Sequence, residues 1–150
     1  MMAATQAVDI LLVEDSPDDI FFIKEAFAQS KVLNRIHVME DGEKALKFLH
    51  KEGEYVKAPR PRLILLDLNL PKKSGQQVLA EIRADEMLMD LPVVILTTSC
   101  NETDILKSYR YHANCYITKP VDVQEFMDIV LAIEHFWLSV ALLPSEYRGI

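Results

Sequence analysis

Three acidic residues follow apolar runs of strand length at two separate places in the sequence. Glu14 and Asp15 come directly after Ile10–Val13, and Asp67 comes directly after Leu63–Leu66. Neighbouring carboxylates repel one another, at a cost of about 1 kcal/mol for a pair at ~4 Å even in water, so a cluster of them needs a compensating cation. Oxygen-only ligands suit a hard divalent ion, and Mg²⁺ keeps several waters while it takes one or two carboxylates. The three residues therefore predict a magnesium site.

A hydroxyl and an ammonium group follow two further apolar runs. Thr97 follows Val93–Leu96, and Lys119 follows Cys115–Thr118. A carboxylate beside a divalent cation can attack a phosphoryl group that the cation also polarises. Lys119 can neutralise the phosphoryl oxygens, and Thr97 can hydrogen-bond them. Together these residue types indicate the formation of an acyl phosphate on an aspartate.

These side chains meet only if the strands that precede them share one sheet. Five runs of strand length alternate with five helical patterns, from Ile10 to a last helix that opens at Val123. Such alternation predicts a doubly wound α/β fold with a parallel sheet in the order 2-1-3-4-5. Its site is expected at the carboxyl ends of the strands, near the point where the strand order reverses. Gly75, after the third strand, is expected to supply a positive φ.

Each of these residues also has a plainer interpretation. Carboxylates after a strand often cap the next helix, and we expect this role for Asp18 and Asp19. Taken singly, Thr97 is typical of a strand end, and Lys119 is typical of a protein surface. Their joint arrival at the ends of separate strands is what favours the phosphoryl-transfer site.

Composition limits the class of protein. The chain has 150 residues and a net charge of −7, which argues against a protein that coats nucleic acid or binds anionic membranes. No apolar run approaches the ~18 residues of a membrane span, and no signal peptide is evident at the N-terminus. Cys100 and Cys115 make neither a disulfide framework nor a zinc set, which fits a reducing, cytoplasmic setting.

Four segments of the sequence resemble the receiver domain of two-component response regulators. They read ILLVEDSPDD, LILLDLNLPKKSG, VVILTTS and CYITKP, and the resemblance spans roughly residues 9–133. It implies the flavodoxin-like receiver fold and a protein that is not an enzyme in the ordinary sense, because it transfers a phosphoryl group from a kinase histidine to its own aspartate. It also implies a cis peptide bond between Lys119 and Pro120.

The resemblance assigns a role to each residue of the predicted site. It implies that Asp67 is the phosphoacceptor and that Lys119 is the lysine of the family. It implies that Thr97 and Tyr116 are the switch hydroxyl and the switch aromatic. The implied Mg²⁺ ligands are the carboxylates of Glu14, Asp15 and Asp67 and the backbone carbonyl of Asn69.

Further segments are similar to the single-domain response regulators that partner cyanobacterial and bacterial phytochromes. These segments read LNLPKKSG, TTS, HANCYITKP and FWLSVALLP. The similarity implies a phytochrome-type sensor histidine kinase as phosphoryl donor and output through protein contacts, with a downstream effector or phosphotransfer protein. We place the receiver domain, with an extended C-terminal helix, at residues 7–142 and a tail at residues 143–150.

The last helix is apolar over an unusually wide arc. With Phe126 as origin and 100° per residue, Ile133 and Trp137 fall within ~40° of it, and Leu138 lies on one flank. The apolar arc spans roughly 220°, about twice the stripe of a helix with one buried face. The excess predicts a homodimer, although the C-terminal segment LLPSEYRGI could instead fold back and cover this surface. The expected interface comprises Phe126, Ile129, Val130, Ile133, Phe136, Trp137 and Val140.

Three other functions are weighed against the receiver. A haloacid-dehalogenase-type phosphohydrolase shares the aspartyl nucleophile and Mg²⁺ but needs a second acid where Asn69 stands, and it needs a cap domain. A flavodoxin-like cofactor binder needs backbone N–H groups in its phosphate loop, whereas residues 14–19 are acidic and contain a proline. A dimeric adaptor that keeps the fold without using phosphorylation stays open as the main alternative.

Overall fold

A computed structural model of the chain describes residues 7–144. Five parallel strands form one sheet in the order 2-1-3-4-5, which confirms the predicted architecture. The strands are β1 (Val8–Val13), β2 (Asn34–Met39), β3 (Leu63–Leu66), β4 (Val93–Thr97) and β5 (Cys115–Thr118). The helices are α1 (Pro17–Ala28), α2 (Gly42–Leu49), α3 (Gly75–Ala84), α4 (Glu102–Arg110) and α5 (Val123–His135), with a 3₁₀ turn at Gly53–Tyr55 and a π-helical turn at Phe136–Val140.

Two apolar layers cover the two faces of the sheet. On one face, Phe27 of α1 and Val130 of α5 pack against the sheet. On the other face, Leu46 of α2 and Leu79 of α3 do the same. All residues of β3 and β4 are buried, because helices cover both sides of these central strands. The helix α4 differs from the others, because Ser108 is its one buried residue.

Each helix begins with a polar side chain that accepts a hydrogen bond from the first turn. The five caps are Ser16, Asp41, Ser74, Asn101 and Asp122. A side-chain cap of this kind stabilises a helix by about 1 kcal/mol. The caps fix where each chain segment turns after its strand, and they thereby fix the loops at the carboxyl edge of the sheet.

The expectation of a positive φ at Gly75 is wrong. Among the described residues, positive φ angles occur at Gly53, Lys51, Lys72 and His112, and not at Gly75. Gly75 is the first residue of α3, and a Cβ atom there would lie 2.1 Å from the carbonyl oxygen of Asp67. The position therefore needs glycine because α3 starts against the backbone of the third strand's end.

The last helix changes its periodicity at its end. After α5 the chain continues into the π-helical turn, which adds a residue to that turn. As a result Leu138, five residues after Ile133, is buried, whereas Trp137 is only partly buried. A regular helix would have placed Trp137 over the core and Leu138 on the flank. The tail proposed as a cover lies outside the described residues from residue 145 onward.

Two further expectations concern cysteines and membranes. Cys100 and Cys115 are both free thiols, Cys100 exposed and Cys115 partly buried. Within residues 7–144, none of the helices has the length and apolar character needed to cross a membrane.

Candidate functional site

The ends of β1 and β3 bring two buried carboxylates together. The backbone N–H of Asp67 donates to the carbonyl of Val13 at 3.0 Å, which places Asp67 beside the end of β1. Glu14 directly follows β1, and its own N–H donates to the carbonyl of Met39 in β2 at 3.0 Å. Glu14 is 2% exposed and Asp67 is 7% exposed, so water solvates neither charge well.

The predicted acidic cluster forms at this edge. Oxygen atoms of Glu14, Asp15 and Asp67 all lie within 4.8 Å of one another. The second oxygen of Glu14 accepts the backbone N–H groups of Asp15 and Ser16. Two buried carboxylates and one exposed carboxylate make an oxygen-only donor set with one open side, and such a set fits a hard divalent cation with bound waters.

The ammonium group of Lys119 lies inside the same edge. It contacts the carboxylates of Glu14 at 2.5 Å, Asp19 at 2.8 Å and Asp67 at 3.3 Å. The Lys119 side chain is 4% exposed, so these pairs lie in a region of weak solvent screening. The backbone of Lys119 is fixed by a hydrogen bond from its N–H to the carbonyl of Thr97 at 2.6 Å.

Burial and neighbouring charges have opposing effects on the pKa values of Glu14 and Lys119. Burial raises the pKa of Glu14 to about 7, although the hydrogen bond from Lys119 opposes this shift. Burial alone would lower the pKa of Lys119, but hydrogen bonds to Asp19 and Glu14 outweigh it and raise that pKa above its usual range. Lys119 therefore stays protonated at neutral pH, whereas the carboxylate of Glu14 can take up a proton near neutral pH when no metal is bound.

Asp19 is a member of this site that the sequence did not reveal. The cap of α1 is Ser16, whose hydroxyl accepts the backbone N–H of Asp19 at 3.4 Å. The carboxylate of Asp19 instead pairs with Lys119, which lies 100 residues further along the chain. Acidic residues in a first helical turn are common because they favour the helix dipole, and this ordinary pattern concealed the contact.

Thr97 and Tyr116, the two residues expected to act as a switch, both form hydrogen bonds with the backbone of Ser99. Thr97 is fully buried, and its hydroxyl oxygen accepts the N–H of Ser99 at 3.4 Å. The hydroxyl of Tyr116 donates to the carbonyl of Ser99 at 2.9 Å. Burial raises the pKa of Tyr116, so the phenol stays protonated and keeps donating at neutral pH. The loop after β4 is thus held by both residues at once.

Two further expectations concern residues beside the site, Asn69 and Pro120. Asn69 is exposed, and its backbone N–H donates to Asp67 at 3.3 Å, so it lies next to the cluster. The expected cis bond before Pro120 is wrong, because no peptide bond in residues 7–144 is cis. The trans form is the lower-energy isomer of a bond to proline by about 0.5–1 kcal/mol.

The residues expected at a dimer interface divide into two groups. Phe126, Val130 and Ile133 belong to the core between α5 and the sheet, so the monomer itself buries them. This part of the interface prediction is therefore wrong, because α5 packs this face against the sheet of its own domain. The remaining four residues are at least partly accessible: Ile129, Phe136, Trp137 and Val140.

Comparisons with known proteins agree on one family. The sequence profile described as the response regulator receiver domain matches residues 10–131. The chain is 48% identical to response regulator Rcp1 from Synechocystis sp. over 136 residues, which are 91% of this chain and 92% of Rcp1.

Solved structures give the same result. A crystal structure of the phosphorylated cyanobacterial phytochrome response regulator RcpA matches with a TM-score of 0.91 and 52% identity, over 93% of this chain and 99% of RcpA. The Mn²⁺-bound form of Rcp1 matches with a TM-score of 0.89 and 47% identity, over 91% of this chain and 99% of Rcp1. The similarity therefore extends along nearly the whole length of both relatives.

Proposed function

Because the chain belongs to the family of response regulator receiver domains, we propose that Asp67 accepts a phosphoryl group from a histidine kinase. The observation that supports this most strongly is the convergence of Glu14, Asp15 and Lys119 on Asp67 at one edge of the sheet. In the proposed step, a carboxylate oxygen of Asp67 attacks phosphorus. A P–O bond forms, the bond between phosphorus and the donor nitrogen breaks, and its electron pair leaves with the donor histidine.

We propose Mg²⁺ as the resident cation of the acidic cluster. Its ligands would be the carboxylates of Glu14, Asp15 and Asp67 and the backbone carbonyl of Asn69. When bound, the ion supplies Lewis-acid polarisation of a phosphoryl oxygen and neutralises charge. Support comes from the oxygen-only donor set and from the Mn²⁺-bound structure of Rcp1.

The residues around Asp67 have distinct tasks in this proposal. Lys119 neutralises the phosphoryl oxygens, since its ammonium already lies 3.3 Å from Asp67. The Thr97 hydroxyl moves toward the phosphoryl group and leaves Ser99, whose N–H it now accepts. Tyr116 repacks as the loop moves, because its hydroxyl holds the Ser99 carbonyl. The change would then reach α4 and β5.

The partners proposed for this chain follow from the relatives. RcpA is described as a phytochrome response regulator, and this supports a phytochrome-type histidine kinase as the donor for Asp67. We place this exchange in the cytoplasm, in keeping with two free cysteines. Output would pass through protein contacts of a homodimer to an effector or phosphotransfer protein. The surface proposed for the dimer comprises Ile129, Phe136, Trp137 and Val140.

Intact-mass spectrometry after incubation with Mg²⁺ and acetyl phosphate tests the proposal. Wild type should gain one phosphoryl group, whereas Asp67→Asn should gain none. Asp18→Asn is the matched control, because Asp18 is an exposed carboxylate of the neighbouring helical turn. It should label like wild type.

Other results of this experiment would contradict the proposal. Labelling of the Asp67→Asn variant would show that another residue is the main acceptor. If wild type stays unlabelled and also fails to bind beryllofluoride with Mg²⁺, the chain would act as an adaptor that does not use phosphorylation.

A further inference from the structure

Lys119 is shared among more carboxylates than the proposed reaction requires. An ammonium group has three N–H donors, and Lys119 meets three carboxylates, those of Glu14, Asp19 and Asp67. The distance to Asp67, 3.3 Å, is the longest of the three, and the distance to Asp19 is 2.8 Å. All three N–H donors of Lys119 are thus engaged, and the contact with Asp67, the proposed phosphoacceptor, is the longest.

Asp19 differs from the other two partners in its position. The group of oxygens within 4.8 Å of one another comprises Glu14, Asp15 and Asp67, and Asp19 does not belong to it. Its side chain is 26% exposed, against 8% for that of Asp67. Asp19 therefore lies at the rim of the site, where its carboxylate serves the lysine and not the cation.

The start of α1 fixes this carboxylate in place. Ser16 caps the helix and accepts the backbone N–H of Asp19, so the residue lies in the rigid first turn. Lys119 is fixed from the other side by its backbone bond to Thr97. The Asp19–Lys119 pair therefore joins two segments whose backbones are held by hydrogen bonds.

We propose that Asp19 is a positioning residue that competes with Asp67 for the ammonium group of Lys119. This inference rests on the proposed phosphorylation of Asp67. A phosphoryl group on Asp67 presents anionic oxygens that form strong charge-assisted hydrogen bonds, so Lys119 must turn toward it. Asp19 opposes this turn through its shorter contact and through repulsion of the added negative charge. Asp19 thereby biases the site toward the unphosphorylated state.

Beryllofluoride binding at saturating Mg²⁺ tests this role, because beryllofluoride imitates the phosphoryl group without being hydrolysed. We expect Asp19→Asn to bind beryllofluoride about threefold to tenfold more tightly than wild type. Asp18→Asn removes the same charge from the same helical turn without an ion pair to Lys119, and its affinity should stay within about twofold. Dissociation constants can be measured by ¹⁹F NMR, with each variant at its own saturating Mg²⁺ concentration.

A metal-free measurement separates positioning from a structural role. In the ¹⁵N spectrum of the lysine ammonium groups, the Lys119 signal should move in Asp19→Asn and stay in place in Asp18→Asn. If Asp19 only supported the helix, its variant would melt at a lower temperature without binding beryllofluoride more tightly. That result, or equal affinities of the two variants, would overturn the role of Asp19 alone. If wild type bound no beryllofluoride, the proposed function would fail, and the role of Asp19 with it.

Discussion

The side-chain amide of Gln76 in α3 donates to two oxygens of Asp104 in α4, at 3.3 Å to the carboxylate and 3.4 Å to the backbone carbonyl. The other carboxylate oxygen of Asp104 accepts the hydroxyl of Ser99 at 2.7 Å. Gln76 itself follows Gly75, which packs against the carbonyl of Asp67. Asp104 therefore links α4 both to the helix that starts against Asp67 and to the loop held by the proposed switch residues.

Replacement of Asp104 should loosen α4. The helix buries little, so polar contacts supply much of its attachment. We expect Asp104→Ala to lower the protection of α4 amides against hydrogen exchange by about tenfold, which corresponds to ~1.4 kcal/mol of local stability. Glu102→Ala is the control, because Glu102 is an exposed acid of the same first turn. Equal exchange in the two variants would show that Asp104 does not hold the helix.

Removal of the Ser108 hydroxyl should stabilise the domain. Ser108 is fully buried, and its hydroxyl has no hydrogen-bond partner within residues 7–144. Such an unpaired group is costly, so Ser108→Ala should raise the free energy of unfolding by about 1 kcal/mol. Alanine is also a better helix former, and Thr103→Ala at an exposed position of α4 measures that gain alone. Urea denaturation should show the larger increase for Ser108→Ala, and a smaller one would contradict the argument.

Much of the fold and of the site follows from the sequence for a definite physical reason. The central strands β3 and β4 are apolar runs because helices cover both faces of the sheet there. The runs in the sequence delimit β3 and β5 residue for residue. The residue after each run must lie at one shared edge of a parallel sheet. This rule predicts that Glu14, Asp67 and Lys119 lie together, and their side chains do contact one another.

Two features of the structure could not be predicted from the sequence, because they depend on how elements are placed in space and not on the spacing of apolar residues. The pairing of Asp19 with Lys119 requires the position of the first turn of α1 relative to the end of β5, and spacing along the chain carries no information on that. The exchange of Trp137 for Leu138 on the buried face arises from a π-helical turn, whereas a helical wheel assumes 3.6 residues per turn.

Metal binding should depend on the two buried carboxylates. Glu14→Gln and Asp67→Asn each replace a charged carboxylate of the proposed site by a neutral amide, so each should weaken Mn²⁺ binding by about tenfold or more. Electron paramagnetic resonance of free Mn²⁺ gives the dissociation constants. Asp18→Asn removes one negative charge, as the two other variants do, but outside the cluster, and it should bind like wild type. A comparable loss in that control would mean that only overall charge matters.

The stability of the metal-free domain should decrease as pH rises toward neutrality. Burial raises the pKa of Glu14 from 4.5 to about 7, so between these values the folded state holds a proton that the unfolded chain has released. The free energy of unfolding should therefore fall between about pH 5 and about pH 7 and level off above that window. Urea denaturation at several pH values measures this slope.

Two controls identify Glu14 as the source of that slope. Glu14→Gln cannot titrate, so its decrease between about pH 5 and about pH 7 should be much shallower. Saturating Mg²⁺ should increase stability more at the upper end of this window, because cation and proton compete for the same carboxylate. An unchanged slope in Glu14→Gln would assign the titration to another group.

The proposed dimer can be tested at the groove between β5 and the end of α5. This groove, of about 400 Å³, is lined by apolar side chains that include Ile129, Phe136 and Cys115. Phe136 is 49% exposed, and a charged residue there should prevent a second copy from covering the groove. We expect light scattering to show a dimer for wild type and a monomer for Phe136→Glu. Phe21→Glu, at a comparably exposed aromatic of α1, should stay dimeric.

Cysteine alkylation supplies an independent readout of the same surface. Cys115 lines the groove, and burial raises the pKa of its thiol, so it should react with iodoacetamide more slowly than the exposed Cys100. If a second copy covers the groove, Phe136→Glu should accelerate alkylation of Cys115 and leave that of Cys100 unchanged. A wild type that is monomeric at micromolar concentration, with Cys115 equally reactive in both proteins, would show that no second copy binds there. The partly exposed residues at the end of α5 would then need another partner.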